Sequence, residues 1–480
     1  MMRTFSNLAS IALLTSCTPT AAEAPAGPPP VIIVSIDTLR ADRLGAWGNP
    51  DGLTASLDRF ASESVSFTQT WSTSNETLFS HASLFTGRYP SELSAVDYNF
   101  AFPDQTPTLA GVLGVYGYTA AAFVGGGHLS PAFGLNAGFA DYTVSAEWGS
   151  LYHSVPQALS WLDELPEAAT PFLFVHGYDP HHRYLKPTPW GYSEADATYD
   201  GLGQSLVRSH AGTAKTAEGF FFSRRRFDQI FDFSRLRVWD THARQALQAQ
   251  APALKARRLQ AADAAHIVDV YDGAVRYGDA WFGLLMAGLQ ERGLTETALI
   301  IVLSDHGEGL GEDGVFNHRP ALSEEMLHVP LMIRPPGGIA AARVETTTSL
   351  VDVVPTVLEA IGGTLPAQLA GRSLWGAVSG APLPPSPAFA ETAFRQLAVR
   401  TDSGGLVFSG ASPHSPFLPA LLSASRLDGP AFDSLGGDEA AHRQALVDWR
   451  ARLDVRPLID GEISPERLKI LQERGYWGGQ

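Results

Sequence analysis

The chain has 480 residues, 45% hydrophobic and 18% charged, so it can bury one large core or two moderate ones, which excludes a disordered or fibrous protein. Its 34 Lys and Arg against 50 Asp and Glu give a net charge of −16, the wrong sign for a general nucleic-acid binder. The single cysteine, Cys17, excludes intramolecular disulfides, cysteine-rich zinc sites and a cysteine nucleophile deeper in the chain.

The N-terminus is typical of a short export signal. Arg3 supplies the positive end, and the apolar run at residues 8–14 is too short to span a bilayer. This run leads into the letters LTSC, ending at Cys17, which resemble the bacterial lipobox, where the cysteine is lipidated after cleavage. We therefore expect residues 1–16 to be a lipoprotein signal peptide and Cys17 to carry the lipid; the alternative is an incidental cysteine near an ordinary cleavage site.

The segment after Cys17 is predicted to be a tether. Residues 17–30 are rich in Pro and Ala and lack hydrophobic periodicity, which is typical of a semi-extended spacer. No acidic residue directly follows Cys17. The lipobox resemblance therefore implies an exported bacterial lipoprotein on the periplasmic side, held at the outer membrane through a lipid anchor.

From residue 31 the chain alternates short β-branched runs with helical stretches, the pattern of a parallel sheet covered by helices on both faces. An α/β fold is predicted, with strands at Val31–Ile36, Ala120–Val124, Pro171–His176, Ala298–Leu303 and Val329–Ile333. Ligands of such sheets gather beyond the carboxyl ends of the strands. Asp37, the region around His181, and Asp305 with His306 are therefore expected to converge on one site.

Three of these residues have side chains suited to a metal. Asp37 follows a buried strand, where an unpaired charge is costly unless a cation neutralises it. The alternative role for Asp37 is as the N-cap of the following helix. Asp305 and His306 also follow an apolar strand, on a glycine-rich turn that lets the backbone bend sharply.

The second half of the chain is predicted to contain an insertion and a subdomain. Residues 200–265 are helix-biased and rich in Phe and Arg, so they form either a lid or specificity element, or a segment whose aromatic side chains simply pack on the sheet. Residues 376–480 begin with a Pro-rich linker and continue as a smaller C-terminal α+β subdomain. Its last helix is expected at residues 465–474, with Ser464 as cap and Gly475 at the exit.

The segment SNETLFSHASLFTGRYP, residues 74–90, resembles the nucleophile motif of the sulfatases, within the alkaline phosphatase superfamily. In that family C-x-P-S-R is followed by an apolar stretch and T-G-R. Aligning residues 86–88 with T-G-R places Thr77 at the cysteine that becomes formylglycine. Phe79 replaces the proline, Ser80 keeps the serine and His81 replaces the arginine. Formylglycine cannot be made from threonine.

Other segments follow the order of the sulfatase family over most of the chain. They include DTLRADRLG from residue 37, DPHHRY from 179, YDGAVRYGD from 271, SDHGEGLGEDG from 304 and VDVVPTVLEAIGG from 351. The resemblance implies an alkaline phosphatase-like fold, a mostly parallel sheet sandwiched by helices. It implies a catalytic domain over residues 31–375, followed by the smaller subdomain.

The resemblance also implies a metal site. Asp37, Thr77, Asp305 and His306 would hold one divalent cation, with the Thr77 hydroxyl as the nucleophile. Thr38 stands where many sulfatases have a second aspartate. This loss of one negative ligand leaves Ca²⁺, Mg²⁺, Mn²⁺ and Zn²⁺ open.

Three histidines are assigned to the substrate by the same resemblance. His181 matches the family's substrate histidine and would protonate the leaving oxygen, a role suited to a side chain that titrates near neutral pH. His318 would contact the transferred group. His81 would donate to the nucleophile or to a non-bridging substrate oxygen; its alternative is a buried structural histidine.

The predicted function is a metal-dependent sulfatase-like hydrolase of phosphate, phosphonate or sulfate esters. Thr77 lacks the second hydroxyl with which a formylglycine hydrate expels sulfate, so its covalent ester must be broken by attack on the central atom, which favours phosphorus. Two alternatives are a true sulfuric ester hydrolase and a catalytically silent surface lipoprotein that binds an anionic glycan or lipid. A silent protein would be expected to lose one of the four residues assigned to the metal, and all four are present.

Overall fold

The computed structural model describes residues 27–95, 102, 106–146, 148–181, 184, 261–312, 316–318, 322–392, 396–409 and 432–453. The strands in these ranges are β1 Val31–Ile36, β2 Val65–Phe67, β3 Thr70–Trp71, β4 Tyr118–Val124, β5 Asp141–Val144, β6 Thr170–Gly177, β7 Leu299–Leu303, β8 Gly309–Leu310, β9 Phe316–Asn317, β10 His328–Val329, β11 Leu331–Arg334, β12 Ala342–Val344, β13 Thr348–Ser349, β14 Ala388–Glu391, β15 Gln396–Thr401, β16 Gly404–Ser409 and β17 Phe432–Ser434. The α-helices are α1 Ala55–Ala61, α2 Thr77–Thr86, α3 Leu109–Val115, α4 Leu151–Glu164, α5 Ala261–Glu291, α6 Leu294–Thr297, α7 Glu324–Leu327, α8 Val353–Ala360, α9 Trp375–Val378 and α10 Glu439–Arg452.

The central sheet has eight strands in the order β12-β2-β11-β7-β1-β6-β4-β5. Strand β1 lies inside it and pairs in parallel with β6 on one side and β7 on the other. All six β1 residues are buried, and their side chains alternate between two hydrophobic clusters, with Val31 and Ile33 in one and Ile32 and Val34 in the other. A continuous apolar run is what a strand covered on both faces requires. The predicted α/β fold, mostly parallel and sandwiched by helices, is confirmed.

One predicted strand is corrected by the structure. The run Val329–Ile333 is split at Pro330, which lacks the N–H that a ladder would need. Strand β10 pairs with β3 in a small separate sheet, whereas β11 enters the central sheet antiparallel to both β7 and β2. The other four predicted strands match β1, β4, β6 and β7 to within two residues at either end.

Helix α2 carries the segment that holds Thr77, and both of its ends are defined. It starts at Thr77 and stops at Gly87, which adopts the left-handed conformation with φ 65°. A Cβ at Gly87 would lie 2.8 Å from a methyl carbon of Leu369, so the position also needs a small residue. All ten residues of the helix are buried.

The C-terminal part forms a smaller α+β unit, as predicted. Strands β14, β15, β16 and β17 make a four-stranded antiparallel sheet, and α10 packs on it through Leu446 and Trp449. Trp449 stacks on Phe389 of β14 at 4.8 Å between ring centroids. Tyr89, just after the T-G-R letters, joins the same cluster and connects this unit to the loop behind α2.

Several predicted segments lie outside the described residues: the signal peptide, most of the tether, residues 200–260 of the insertion and the helix at 465–474. The last five residues of the predicted insertion, 261–265, belong to the long helix α5. Across the described ranges, no helix combines the length and the apolar character needed to cross a membrane.

Candidate active site

The three side chains predicted to bind a cation lie together at one edge of the central sheet. Asp37 directly follows β1, while Asp305 and His306 follow β7, the strand paired beside it. One ligand atom from each side chain lies within 4.8 Å of the others, and all three residues are fully buried. The structure thus brings these residues together where strand ends of a parallel sheet meet.

Thr77 reaches the same point from the start of α2. Its Oγ1 donates to Asp37 Oδ2 at 3.1 Å and lies 3.3 Å from His306 Nε2. The first turn of a helix has unpaired N–H groups and a partial positive charge, which stabilises an oxygen that develops negative charge. We call Asp37, Thr77, Asp305 and His306 the floor of the site.

Each carboxylate of the floor has one oxygen that lacks a hydrogen bond in the part of the chain that the structure describes. Asp37 Oδ1 and Asp305 Oδ2 are buried and have no hydrogen-bond partner within the described ranges. Burial raises the pKa of Asp37 to about 6, and burial together with the charge of Asp37 raises the pKa of Asp305. Two such carboxylates are costly unless a cation neutralises them. Two carboxylates, an imidazole and a hydroxyl fit Ca²⁺, Mg²⁺, Mn²⁺ or Zn²⁺.

His306 is oriented as a ligand by a backbone contact. Its Nδ1 lies 2.9 Å from the carbonyl oxygen of Gly307, which can only accept, so Nδ1 carries the hydrogen. Nε2 therefore presents its lone pair to the floor, next to Thr77 Oγ1 and 3.5 Å from Asp305 Oδ2. A backbone carbonyl that fixes the tautomer in this way is the usual support of a metal-binding histidine.

Asp305 is held through both its side chain and its backbone. Its Oδ1 accepts from the backbone N–H of Thr38 at 3.2 Å. Its carbonyl oxygen accepts from Ser80 Oγ at 2.7 Å and from Ser72 Oγ. Ser80 belongs to α2, so the helix that presents Thr77 is bonded directly to the loop that presents Asp305. These bonds therefore fix the position of Thr77 relative to the Asp305 carboxylate.

A second group of side chains contains two of the three histidines predicted to contact substrate. The ring of His318 lies 4.5 Å from that of His306 and 5.2 Å from that of His181. Trp148 stacks on His181 at 5.3 Å, and Tyr178 meets the same ring edge-on at 5.1 Å. We call Trp148, Tyr178, His181 and His318 the rim of the site.

The loops of the rim pack closely against one another. Trp148 has φ 55°, a left-handed conformation that is uncommon for a bulky residue. A Cβ on Gly127 would lie 2.7 Å from the Tyr178 hydroxyl and 3.1 Å from the Trp148 ring, so glycine is required there. His318 Nδ1 lies 3.2 Å from Oε1 of the buried Glu308.

His81 lies behind the floor rather than in the rim. Its Nδ1 donates to the backbone carbonyl of Thr77 at 2.8 Å, and its Nε2 accepts from Ser35 Oγ at 3.0 Å. Burial lowers the pKa of His81 to about 4, so the ring is neutral at neutral pH. Because both ring nitrogens are engaged within the protein, this geometry fits the alternative of a buried structural histidine. The predicted donation from His81 to the nucleophile or to a substrate oxygen stays a prediction.

His176 is a residue of the site that the sequence reasoning missed. Its Nδ1 accepts from Gly125 N at 3.4 Å, and its Nε2 lies 3.4 Å from Asp37 Oδ2. Burial lowers the pKa of His176 to about 4, so the neutral ring offers its Nε2–H to Asp37. The available signal was its position near the end of β6, in register with Ser35 of the strand that leads to Asp37.

Cys17, predicted to carry a lipid, lies outside the described residues.

Comparisons with known proteins agree with the motifs. The sulfatase family model matches residues 29–363, well over half of the chain. Arylsulfatase K of Bos taurus is 40% identical over 96 residues, which cover 20% of this chain and 18% of that protein. The multifunctional alkaline phosphatase superfamily protein PehA of Trinickia caryophylli is 37% identical over 106 residues, which cover 22% of this chain and 20% of that protein. The matched region thus spans about a fifth of the length of these relatives.

Solved structures with the same fold cover nearly the whole chain. A phosphonate monoester hydrolase from Silicibacter pomeroyi superposes with a TM-score of 0.61 at 19% identity, covering 91% of this chain and 98% of that one. A protein solved in complex with its substrate D-glucosamine-2-N,6-O-disulfate superposes with a TM-score of 0.60 at 17% identity, covering 93% and 97%. At these identities the likeness concerns the fold.

Proposed function

This chain belongs to the sulfatase family, and we propose that it hydrolyses phosphate, phosphonate or sulfate esters with the Thr77 hydroxyl as nucleophile, phosphoesters being preferred. The observation that carries the proposal is the position of Thr77 Oγ1. It lies at the first turn of α2, 3.1 Å from Asp37 Oδ2 and 3.3 Å from His306 Nε2, against carboxylates with unpaired oxygens.

Asp37, Asp305 and His306, together with Thr77, would hold one divalent cation. A bound cation supplies charge neutralisation to the ester's non-bridging oxygens and lowers the pKa of a nearby hydroxyl. The unpaired oxygens of Asp37 and Asp305 and the lone pair of His306 Nε2 support this donor set.

The chain's own groups have separable tasks. Thr77 Oγ1 forms a bond to the central atom of the ester, and its proton moves to Asp37 Oδ2, the carboxylate oxygen to which it already donates. The bond to the leaving oxygen breaks, and His181 donates a proton to that oxygen. Water then attacks the central atom and gives a proton to His181. The bond from the central atom to Thr77 Oγ1 breaks, and the proton on Asp37 returns to that oxygen, which releases the acid and restores the Thr77 hydroxyl. His318, beside His306, would contact the transferred group.

The preference for phosphorus follows from what Thr77 lacks. A threonine hydroxyl becomes a simple ester after attack, without a second hydroxyl to expel the bound group. Release therefore requires attack at the central atom, a reaction common at phosphorus. The similarity in fold to a phosphonate monoester hydrolase supports this preference. The similarity to arylsulfatase K supports the alternative of a true sulfuric ester hydrolase, so both classes of ester belong in the test.

The test is a substrate panel assayed with purified full-length protein, with and without a chelator. We expect bis(nitrophenyl) phosphate or a phenylphosphonate ester to be hydrolysed faster than nitrophenyl sulfate, and the chelator to abolish turnover. Faster hydrolysis of the sulfate would favour a true sulfatase. No bound divalent cation on metal analysis, and no turnover after adding one, would favour a silent protein that binds an anionic glycan or lipid.

We also propose that the enzyme works at a membrane surface, anchored through Cys17. The support is the signal-like segment that ends in LTSC and the Pro- and Ala-rich residues that follow. Fractionation of cells expressing the full chain tests it. We expect wild-type protein in the membrane fraction and Cys17→Ser in the soluble fraction; wild-type protein that is soluble would contradict the anchor.

A further inference from the structure

The segment YDGAVRYGD, residues 271–279, follows the order of the family but has no role in the chemistry described so far. It lies on helix α5, which is hydrogen-bonded through Tyr271 to the loop that follows β1. Tyr271 is fully buried within it. Its hydroxyl donates to the carbonyl oxygen of Thr38 at 2.7 Å and accepts from the backbone N–H of Arg40 at 3.1 Å. Both partners are backbone groups of the loop that begins with Asp37.

Thr38 has a backbone conformation that needs such support. Its φ is 58°, in the left-handed region, where a β-branched residue is a genuine outlier. Such a conformation persists only where the surroundings determine it strongly. Three hydrogen bonds do so here: Thr38 Oγ1 donates to the carbonyl of Asp37 at 2.7 Å, Thr38 N donates to Asp305 Oδ1, and Thr38 O accepts from Tyr271.

The bond from Thr38 N determines which oxygen of Asp305 faces the floor. Because Oδ1 is engaged by that N–H, Oδ2 is the oxygen left without a hydrogen-bond partner, 3.5 Å from His306 Nε2. The direction of the Thr38 N–H depends on its left-handed backbone, and Tyr271 holds the other side of that residue. A single residue, Thr38, therefore connects the Tyr271 hydroxyl to the Asp305 carboxylate.

We propose that Tyr271 is a positioning residue for the cation site. It holds Thr38 in its left-handed conformation, and Thr38 in turn presents Asp305 Oδ2 to the cation. The proposal rests on the proposed function in that it requires the floor to bind a divalent cation.

Replacing Tyr271 with Phe removes the hydroxyl and keeps the buried ring. The ring contact with Tyr184, edge-on at 5.4 Å, does not depend on the hydroxyl. The carbonyl of Thr38 and the N–H of Arg40 both lose their bond to it. We expect cation affinity to fall by about tenfold, the lower end of the effect of removing a direct hydrogen-bond partner of a metal ligand, because Tyr271 acts on Asp305 through Thr38.

A matched control is Tyr118→Phe. Tyr118 is also a buried tyrosine whose hydroxyl donates to a backbone carbonyl, that of Pro29, at 2.7 Å. It stands at the first residue of β4, at the opposite end of the strand from the floor. Tyr118→Phe removes a bond of the same kind, so it reports the general effect of such a loss on the fold.

The experiment is isothermal titration calorimetry of metal-free full-length variants with Ca²⁺, Mg²⁺ and Mn²⁺. We expect weaker binding in Tyr271→Phe and binding within about twofold of wild type in Tyr118→Phe. Adding Thr38→Gly to Tyr271→Phe should restore part of the affinity, because glycine adopts φ near 60° without support. This double variant also provides the measurement if Tyr271→Phe folds poorly.

Two results would overturn the proposal, and they differ in what they say about the proposed function. Wild-type affinity in Tyr271→Phe, with tight binding in wild type, would overturn the positioning role and leave the proposed function intact. No binding of any divalent cation by wild type would overturn the proposed function and the positioning role together.

Discussion

The floor and the rim of the site are built by different kinds of contact. Floor side chains are fully buried at the ends of adjacent strands and at a helix start, and backbone groups fix them: the Gly307 carbonyl orients His306, and the Thr38 N–H orients Asp305. Rim side chains come from three loops, with Tyr178 and His181 on the loop after β6, and they contact one another through ring faces and edges, as Trp148 and Tyr178 do at His181.

Because the contacts differ, we expect mutations in the floor and in the rim to affect activity differently. Hydrogen bonds to backbone atoms have narrow geometry, so the floor is fixed whatever the substrate is. Ring contacts tolerate several arrangements at similar energy, so the rim can change without loss of the floor. We therefore expect changes in the floor to affect every substrate equally and changes in the rim to affect substrates selectively.

The largest effect is expected at Thr77. Thr77→Ala removes the nucleophile, and kcat/KM should fall by about a thousandfold or more on every substrate in the panel. Thr77→Ser keeps a hydroxyl at the helix start and should retain part of the activity. Thr86→Ala is the control on the same helix, since it removes a hydroxyl that donates to Ala82 O within the helix. A loss in Thr77→Ala confined to one class of ester would contradict a shared floor.

The second largest effect is expected at His181, a rim residue, and it should differ between substrates. His181→Ala should lower kcat about a hundredfold for alkyl esters, whose leaving oxygen needs a proton, and much less for nitrophenyl esters, which leave as stable anions. Trp148→Phe serves as the control, because it keeps an aromatic ring beside His181. Steady-state kinetics on paired alkyl and nitrophenyl esters measures the difference. Equal losses on both would mean that His181 is not the general acid.

Three of the four floor residues, Asp37, Asp305 and His306, were predictable from sequence because their determinants are local. An apolar run ends at Ile36 and another at Leu303, each is followed by a polar ligand, and the carboxyl ends of parallel strands share one edge. The bounds of β1 were predicted to the residue for the same reason. Thr77 required the family resemblance, since nothing in its own segment marks a helix start beside β1.

The remaining features of the fold and the site depend on contacts between segments that are distant in the sequence. The split at Pro330 puts β10 and β11 in different sheets, and the direction of β11 follows from where the chain returns. His176 contacts Asp37 through the register of β6 on β1. The rotamer of His81, which turns Nδ1 to the Thr77 carbonyl, and the left-handed Thr38 are decided by packing.

A tenfold effect is expected from adding a charge to the floor. Thr38→Asp introduces a carboxylate next to Asp37, and aspartate tolerates φ near 60° better than threonine does. More ligand charge tightens the binding of hard cations, so we expect about tenfold stronger Ca²⁺ binding in calorimetry. Thr38→Asn is the matched control with similar backbone tolerance and no charge. Equal affinity in the two variants would mean that residue 38 does not reach the cation.

The smallest expected effect is the pH dependence of the Tm increase that a cation causes. It tests whether the floor carboxylates bind the cation. Burial raises the pKa of Asp37 to about 6, so the metal-free folded protein holds a proton that the unfolded chain, with a lower pKa, has released. The metal-free fold therefore loses stability as pH rises from about 4 to 6. A cation replaces that proton, so its stabilising effect should grow over the same range. We expect the rise in Tm caused by added cation to be about 1 to 3 °C larger at pH 7.5 than at pH 5.

Taking the difference between Tm with and without cation removes the pH effects of titrating groups outside the floor. Burial lowers the pKa of His81 and of His176 to about 4, so these residues make the fold more stable as pH rises from about 4 to 6.5, the opposite sign. Buried Asp352 and Glu391 have pKa values raised to about 6 and about 7, but they lie away from the cation ligands. Asp352 and Glu391 contribute equally with and without cation, so they cancel in the difference. His81 and His176 contact Asp305 and Asp37, but with pKa values of about 4 both rings are mostly neutral at pH 5 and at pH 7.5. If the cation raised Tm equally at both pH values, Asp37 would not be among its ligands.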